Sequence, residues 1–378
     1  MSEAKKLPLD WGNISLLAFV HTVAIGGTAI YVPLHGLQLS TLVIAAVLTV
    51  LTIFSISAGY HRLFSHRAYE GHPVLRGLLL AFGAGAFQNS ALTWAQDHRR
   101  HHARVDSDVD PYDVRRGFWY AHIGWVLRKP DPSIKPMPVR DLDRDPLVAA
   151  QHRYYVPIGI AMGIGLPVLL GLAFGDPWGG FIIAGAVRLL LVYHATFAIN
   201  SFAHFFGAQP FSDQDSSRDS LLTALVSMGE GYHNYHHTFP ADYRNGPYPH
   251  QFDPTKWTLW TLARLGLAGK LRRTPQSAIV RARLRMDERR LVPGLVAPAA
   301  RERLQQLRAA VEQAAVRWHD LMAEYEARKS EATTQARAML RRLRADLRAA
   351  TRELRAAYAR WSRVVHSGAI AASFGSGS

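Results

Sequence analysis

Four long apolar stretches constrain this chain more than any other feature of its sequence. They cover residues 11–33, 39–60, 154–174 and 179–200. A helix needs about 20 apolar residues to cross a hydrocarbon core roughly 30 Å thick, and each stretch is long enough. Only a short turn separates the members of each pair. The sequence therefore predicts an all-α integral membrane protein with four membrane helices in two hairpins, the first run being retained as a span because no small-residue cleavage site follows it.

Basic residues fall on one predicted side of the membrane. The two hairpin turns contain no Lys or Arg, whereas the segment between the hairpins contains many, among them Arg62, Arg99 and Lys129. By the positive-inside rule this segment, both termini and the whole tail face the cytoplasm. We expect a multi-pass protein of a bacterial cytoplasmic membrane, or of the endoplasmic reticulum in a eukaryote. A net charge of +15 would also suit a nucleic-acid binder, but no nucleic-acid motif is present, so we expect no nucleic-acid partner.

The spacing of apolar residues divides the rest of the chain. The stretch 75–92 is interrupted by Gly and polar residues and is predicted to be an interfacial or partly buried helix and not a fifth span. Apolar residues at steps of three and four predict a helical extension over 299–365, as one long helix or a hairpin. It is a solvated appendage, a coiled-coil contact through which the chain could form an oligomer, or a basic amphipathic helix on anionic lipid. The remaining predicted parts are a cytosolic N-terminus (1–10), a membrane domain (11–272), a linker (273–298) and a flexible tail (366–378) that ends in Gly375–Ser378.

Histidines are the candidate metal ligands. The chain has no cysteine, so imidazoles and carboxylates are the side chains left for such a role. Half of the eighteen histidines form three tight clusters and one outlier: His61 and His66; His98, His101 and His102; His233, His236 and His237; and His204. The other nine are isolated, and we predict no ligand role for them: His21, His35, His72, His122, His152, His194, His250, His319 and His366.

The spacing inside these clusters gives them a chemical meaning. Residues i, i+3 and i+4 share a helix face, so each HxxHH cluster is predicted to present three imidazoles towards one inward point. Five residues turn a helix by about 140°, so His61 and His66 suit two different metal ions or a helix that ends between them. Asn200 and His204 share a face. The predicted topology brings all nine histidines to one face of the membrane, whereas ordinary interfacial histidines would have no reason to converge.

The ligand set implies two metal ions. Imidazoles suit Zn, Cu, Fe and Ni, and nine nitrogens overfill any single ion. A redox-active pair would serve dioxygen chemistry. Zinc would imply hydrolysis with Glu230, Asp97 or Asp106 as the general base, but no HExxH motif is present.

Around these clusters the chain resembles the stearoyl-CoA desaturase-like membrane desaturases over residues 11–270. The motifs that carry the resemblance are GYHRLFSHRAY at 59–69, FQNSALTWAQDHRRHH at 87–102, DSDVDPYDVRRGFWYAHIGW at 106–125, NSFAH at 200–204 and GEGYHNYHHTFPADYRNG at 229–246. The resemblance implies four membrane helices capped by a cytosolic helical domain that holds a di-iron centre. It implies ligation by the nine clustered histidines, with Asn200 reaching one iron through water.

The resemblance also implies a reaction and a substrate site. The reaction is an oxygen-dependent fatty acyl desaturation that introduces a cis double bond at the delta-9 position. Gln88, Trp94 and Thr196 match family positions at the bend of the acyl tunnel, and Asp97, Arg128 and Lys129 match positions near the coenzyme A group. Because Gln96 stands where acyl-CoA enzymes often carry Arg, the acyl carrier stays open between CoA and a membrane lipid.

The electron source is expected to be a separate protein. The tail contains no HPGG motif of a cytochrome b5 domain, so the resemblance implies a ferredoxin or a cytochrome b5 with its reductase. An acidic donor would be attracted by the cationic cytoplasmic surface.

Two other functions remain as alternatives. Similar clusters serve membrane di-iron hydroxylases and ketolases that act on alkyl or lipid substrates. A metal transporter or sensor would also gather histidines, but it would place ligands near the middle of its spans. There the sequence offers only His21, Arg188 and His194.

Overall fold

The computed structural model describes residues 7–291, 298–329 and 334–375. Residues 1–6 of the predicted N-terminus, 292–297 of the predicted linker, 330–333 of the predicted helical extension and 376–378 of the predicted flexible end lie outside these ranges.

Four long apolar helices form two hairpins and confirm the predicted membrane spans in number and order. We call Trp11–His35, Leu39–Ser65, Tyr155–Ala173 and Pro177–Phe205 the first to fourth spans. Many of their large apolar side chains are exposed on the outside of the helices, where lipid would cover them; examples are Phe19, Ile30, Val50, Leu169 and Leu191. These helices fit a membrane protein.

Polar residues define the ends of the spans. The Asp10 carboxylate accepts a hydrogen bond from the Asn13 backbone N–H at 3.1 Å and begins the first span. Asp176 begins the fourth span in the same way, accepting from Gly179 at 2.8 Å. The Asp176 carboxylate also accepts from Tyr31 at 2.7 Å and Thr41 at 2.5 Å, which ties the second hairpin to the first.

The segment between the hairpins forms short helices over Pro73–Ala84, Ala91–Ala103, Arg140–Asp143 and Pro146–Arg153. A 3-10 turn at Val114–Arg116 and a π turn at Tyr120–Gly124 lie between them. Pro73–Ala84 is apolar but too short for a span, as predicted. Ser90 begins the Ala91–Ala103 helix, because its hydroxyl accepts from the Thr93 backbone N–H at 3.3 Å.

After the fourth span come helices Leu221–Val226, His233–Thr238 and Pro254–Arg264. The described residues contain one two-stranded sheet, in which Glu70–Gly71 pairs antiparallel with Ala268–Gly269. A buried cluster that includes Tyr60, Phe64, Leu79 and Leu259 packs these pieces around the end of the second span. That packing holds the histidine clusters in place.

The chain divides into two compact units, the second formed by residues 210–213 and 274–378. Its helices are Gln276–Leu291, Pro298–Arg328 and Thr334–Gly375, named here the first to third tail helices. The first tail helix occupies most of the segment predicted as a linker. Of the two arrangements left open by the sequence, the second and third tail helices form a hairpin, in which Trp318 Nε1 donates to Thr351 Oγ1 at 2.9 Å. Their apolar stripes are buried together, Val311 and Leu354 being fully enclosed.

Candidate metal centre

The nine clustered histidines come together in two adjacent groups. The first histidine group contains His61, His66, His98, His102 and His236, and the second contains His101, His204, His233 and His237. Within each group the nitrogens that could bind a metal all lie within 4.8 Å of one another. The groups touch, since the rings of His102 and His237 stack with centroids 4.2 Å apart.

His61 and His66 lie in the same histidine group because the second span ends in a π-helix. Ser55–Ser65 is π-helical, and the His66 N–H donates to the His61 carbonyl, five residues back, at 3.1 Å. This bond places residues five apart almost above one another, and the two ring centroids are 4.8 Å apart. Of the two expectations for this pair, the helix does end between His61 and His66, at Ser65. The expectation that they serve two different ions is wrong, because it assumed the ordinary helical turn and both rings lie in one group.

Each HxxHH triplet is divided between the groups. His98 and His102 join the first group while His101 joins the second. In the other triplet, His233 and His237 join the second group while His236 joins the first. The expectation of one inward point per triplet is wrong, because position i+3 lies about 60° to one side of i and i+4 about 40° to the other. Both short helices thus contribute to both groups.

Polar partners orient several of these rings. His101 Nδ1 lies 2.9 Å from Asp110 Oδ1, His204 Nδ1 lies 2.7 Å from Ser216 Oγ, and His61 Nδ1 lies 2.7 Å from Glu230 Oε2. A carboxylate can only accept, so His61 and His101 carry their proton on Nδ1 and direct an Nε2 lone pair inwards. Such outer partners fix the tautomer of metal-binding histidines. Sequence reasoning missed Asp110 and Ser216.

Glu230 is held by a buried charge network. Its carboxylate accepts from Arg62 Nη2 at 2.9 Å, from Asn245 Nδ2 at 2.5 Å and from the Ser57 hydroxyl. Burial alone would raise the pKa of Glu230, but His61 and Arg62 outweigh it and hold that pKa well below its usual range. Glu230 therefore stays ionised as a partner of His61.

The two other residues nominated as bases also have partners. Asp106 accepts from the Ser216 hydroxyl and backbone N–H, both at 2.7 Å. Asp97 lies 3.2 Å from Arg100, and burial raises the pKa of Asp97. All three carboxylates therefore already accept hydrogen bonds, which gives no support to a role as a general base.

The arrangement fits a cation. His236 Nε2 lies 2.8 Å from His61 Nε2 and 3.0 Å from His102 Nε2, and a single N–H cannot serve both. Buried His204 Nε2 has no hydrogen-bond partner among the described residues. Extra protons are disfavoured, because burial first and neighbouring imidazoles second lower the pKa of His98, His102 and His237 well below the usual value. A metal ion in each group would satisfy the converging lone pairs.

A cavity of about 750 Å³ adjoins the two groups. His61, His98 and His233 line it, and so do Asn200 and all six predicted substrate residues: Gln88, Trp94, Asp97, Arg128, Lys129 and Thr196. Gln88 Nε2 donates to Thr196 Oγ1 at 3.0 Å, and Arg128 donates to the Leu7 carbonyl at 2.7 Å. Apolar residues, including Leu17, Ile53 and Ile56, line another part of the cavity, so it can take a molecule with a polar and an apolar part.

Three of the isolated histidines form a separate hydrogen-bonded chain, named here the histidine chain. His21 Nε2 lies 3.1 Å from His194 Nε2, and His194 Nδ1 lies 3.1 Å from His122 Nε2. No sequence spacing signals this cluster, because its members come from three distant segments.

Comparison with known proteins gives a family and named relatives. The model of the family described as "Fatty acid desaturase" matches residues 37–250. The chain is 45% identical over 273 residues to the "Probable acyl-CoA desaturase" of Schizosaccharomyces pombe, covering 72% of this chain and 56% of that protein. It is 44% identical over 239 residues to "Acyl-CoA desaturase 1" of Saccharomyces cerevisiae, covering 63% and 47%.

A nematode relative is matched over more of its length. The chain is 36% identical over 275 residues to the "Delta(9)-fatty-acid desaturase fat-7" of Caenorhabditis elegans, covering 70% of this chain and 81% of that protein. By contrast, the chain spans only about half the length of the two yeast relatives.

Proposed function

The chain belongs to the fatty acid desaturase family, and from that premise we propose that it is an oxygen-dependent acyl desaturase that introduces a cis double bond into a saturated acyl chain. One observation carries the proposal: two adjacent groups of buried histidines border a cavity that is partly apolar. Such a reaction requires electrons, dioxygen and an acyl chain to meet at one site, and a metal centre beside an apolar cavity would allow this.

We assign one iron to each histidine group. His61, His66, His98, His102 and His236 would hold one, and His101, His204, His233 and His237, with Asn200 through a water molecule, would hold the other. Bound irons would supply the redox chemistry by which dioxygen removes two hydrogens from neighbouring methylenes. Glu230, Asp110 and Ser216 orient the rings of His61, His101 and His204 in that order. Burial keeps the pKa of His98, His102 and His237 low.

The cavity would determine which carbons react. A chain held in an apolar tunnel presents one pair of carbons to a fixed site, because its position along the tunnel is restrained. We assign Gln88, Trp94 and Thr196 to the bend and propose the delta-9 position, which agrees with the name of the nematode relative. Asp97, Arg128 and Lys129 would contact the carrier, which we propose is coenzyme A, with a membrane lipid as the alternative.

The wider setting follows from the same family. Residues 11–272 would form the membrane desaturase domain, with both termini in the cytoplasm. Electrons would come from a separate ferredoxin or cytochrome b5 with its reductase. The positive charge of the chain would attract an acidic donor, so turnover should fall as salt rises.

Lipid analysis of a host that expresses the protein tests the activity. The expected result is a new cis-monounsaturated acyl chain with its double bond at carbon 9, absent from cells that carry the empty vector. A hydroxylated or keto product would assign the chain to the neighbouring di-iron chemistry. An unchanged lipid profile in iron-replete cells supplied with a ferredoxin and its reductase would contradict the proposal.

A further inference from the structure

The third tail helix carries a row of arginines on the side opposite its core. Arg341, Arg348, Arg352, Arg355 and Arg363 are all exposed. At 3.6 residues per turn they lie within an arc of about 80°, and we name this row the arginine ridge. The opposite side is buried in the tail, through Leu343, Leu347, Ala350, Leu354 and Trp361. The helix is therefore anchored by one side and presents only the other.

The charge of the ridge is not compensated within the described part of the chain. No carboxylate there forms an ion pair with any of the five arginines, and Arg355 donates only to the neutral amide of Gln276 at 3.3 Å. On the second tail helix, Arg308, Arg317 and Arg328 each pair with a glutamate, while Arg303 bonds to the Gln306 amide. Among the described residues of these two helices, the arginines without an ion pair are therefore concentrated on the third.

The shape of the ridge favours a flat partner. From Arg341 to Arg363 it extends about 33 Å along one helix, at 1.5 Å per residue. The exposed residues between the arginines include Ala345, Ala349, Ala356 and Ala359, which are too small to insert into lipid. A globular protein would contact part of such a row, whereas a plane of negative charge would contact all of it.

We propose that the arginine ridge lies against the anionic phosphate surface of the membrane in which the chain is embedded. The tail is part of a chain with four candidate membrane spans, and its predicted side is the cytoplasmic one, whose leaflet is negatively charged. Guanidinium groups bind phosphate oxygens through paired hydrogen bonds. The helix would lie on the headgroups without inserting, because its apolar side is already used inside the tail.

The absence of cysteine makes a direct test practical. A single Ala359→Cys on the ridge accepts one fluorophore, and Ala309→Cys, exposed on the second tail helix, provides the comparison position. The full chain is placed in nanodiscs of phosphatidylcholine, with or without phosphatidylglycerol, that contain a lipid with a nitroxide on its headgroup. Quenching of the fluorophore by the nitroxide reports contact with the surface.

The expected result is quenching at position 359 that requires phosphatidylglycerol and is lost in about 1 M salt, where the Debye length falls to about 3 Å. Quenching at position 309 should not respond to the anionic lipid. Arg348→Gln, Arg352→Gln and Arg355→Gln together should abolish the response, and Lys at the same three positions should retain it. Arg308→Gln, Arg317→Gln and Arg328→Gln remove the same charge and should leave it intact.

Three outcomes would overturn the proposal. The first is equal quenching at position 359 with and without phosphatidylglycerol. The second is an equal loss of the response to anionic lipid in both glutamine triple variants. The third is a fluorescence response at position 359 to soluble RNA or polyglutamate with none to anionic lipid. The last would assign the ridge to a soluble acidic partner. The lysine triple separates loss of charge from loss of folding, since lysine and glutamine are both good helix formers.

Discussion

The protein gathers buried histidines in two places, and the two sets satisfy their nitrogens in different ways. In the histidine chain, His21 Nδ1 lies 2.7 Å from the Leu17 carbonyl and must carry its proton. His194 Nε2 lies 3.1 Å from His21 Nε2, and His122 Nε2 lies 3.1 Å from His194 Nδ1. Ser201 Oγ, which donates to the Phe197 carbonyl at 3.0 Å, lies 2.9 Å from His122 Nδ1 and completes the series. Each ring nitrogen of the histidine chain thus has a polar partner within the protein.

The nine histidines of the two groups cannot be satisfied in this way. Their lone pairs converge, and the protons of His61 and His101 are already directed outwards to carboxylates. A cluster of histidines therefore indicates a metal site only where the nitrogen lone pairs outnumber the protons available to them. A count of histidines near a membrane does not show this difference, but the geometry does.

Removing one histidine from each set should give the largest contrast. His98→Ala deletes a ring of the first histidine group and should abolish both iron binding and product, because a metal ligand is lost. His194→Ala deletes a ring of the histidine chain and should retain two irons and the product. Iron content and product of the two purified variants provide the measurement. Retained iron in His98→Ala, or loss of iron in His194→Ala, would reverse the distinction.

A change in the outer partners should have an intermediate effect. Asp110→Asn replaces one acceptor oxygen by an N–H donor, so the amide cannot accept from both His101 Nδ1 and the Asp106 backbone N–H. This change should weaken iron binding or activity by about 10–100-fold. Asp108→Asn is the matched control, since the Asp108 side chain is 93% exposed and lies in a surface pair with Arg115. Competition with an iron chelator measures both. An equal response of the two variants would show that Asp110 does not orient the ligand.

The histidine chain should affect stability and not metal content. His194→Ala leaves His21 Nε2 and His122 Nε2 each without a partner and should lower the free energy of unfolding by about 1–3 kcal/mol. Replacing all three rings by leucine removes the polar groups together and should cost less than the single change. Denaturation in detergent measures both. If the triple variant is much less stable than His194→Ala, the histidine chain stabilises the protein by more than the hydrogen bonds among its own rings.

The smallest effect on stability is expected at the Ser201 end of the histidine chain. Ser201→Ala removes the hydroxyl that lies 2.9 Å from His122 Nδ1 and should lower the free energy of unfolding by about 0.5–1.5 kcal/mol. Thr93→Ala is the control, because it also removes a hydroxyl from the same unit; Thr93 Oγ1 accepts a hydrogen bond from Ser90 at 3.2 Å. Iron content should be unchanged in both. Loss of iron from Ser201→Ala alone would connect the histidine chain to the second histidine group.

The sequence predicts much of this molecule because hydropathy and histidine spacing are local properties. The four spans follow from segment length, and spacing along the chain is enough to single out His98, His101 and His102. The joint position of His61 and His66 depends on a π-helix, which sequence spacing does not reveal. Asp110 and Ser216 become recognisable only when folding places them beside a ring.

The remaining differences have similar causes. The histidine chain joins residues 21, 122 and 194, so no local pattern could predict it. The sequence predicts a linker where the first tail helix lies, because the apolar residues there are scattered among charged ones. Val280 and Leu284 nevertheless pack into the core of the tail, and that packing explains the helix.

The metal content of the purified chain decides whether the two histidine groups hold a pair of irons. Elemental analysis of protein purified from iron-replete cells should give two irons per chain, one for each histidine group, with negligible zinc. A single metal per chain, or stoichiometric zinc in place of iron, would contradict the account.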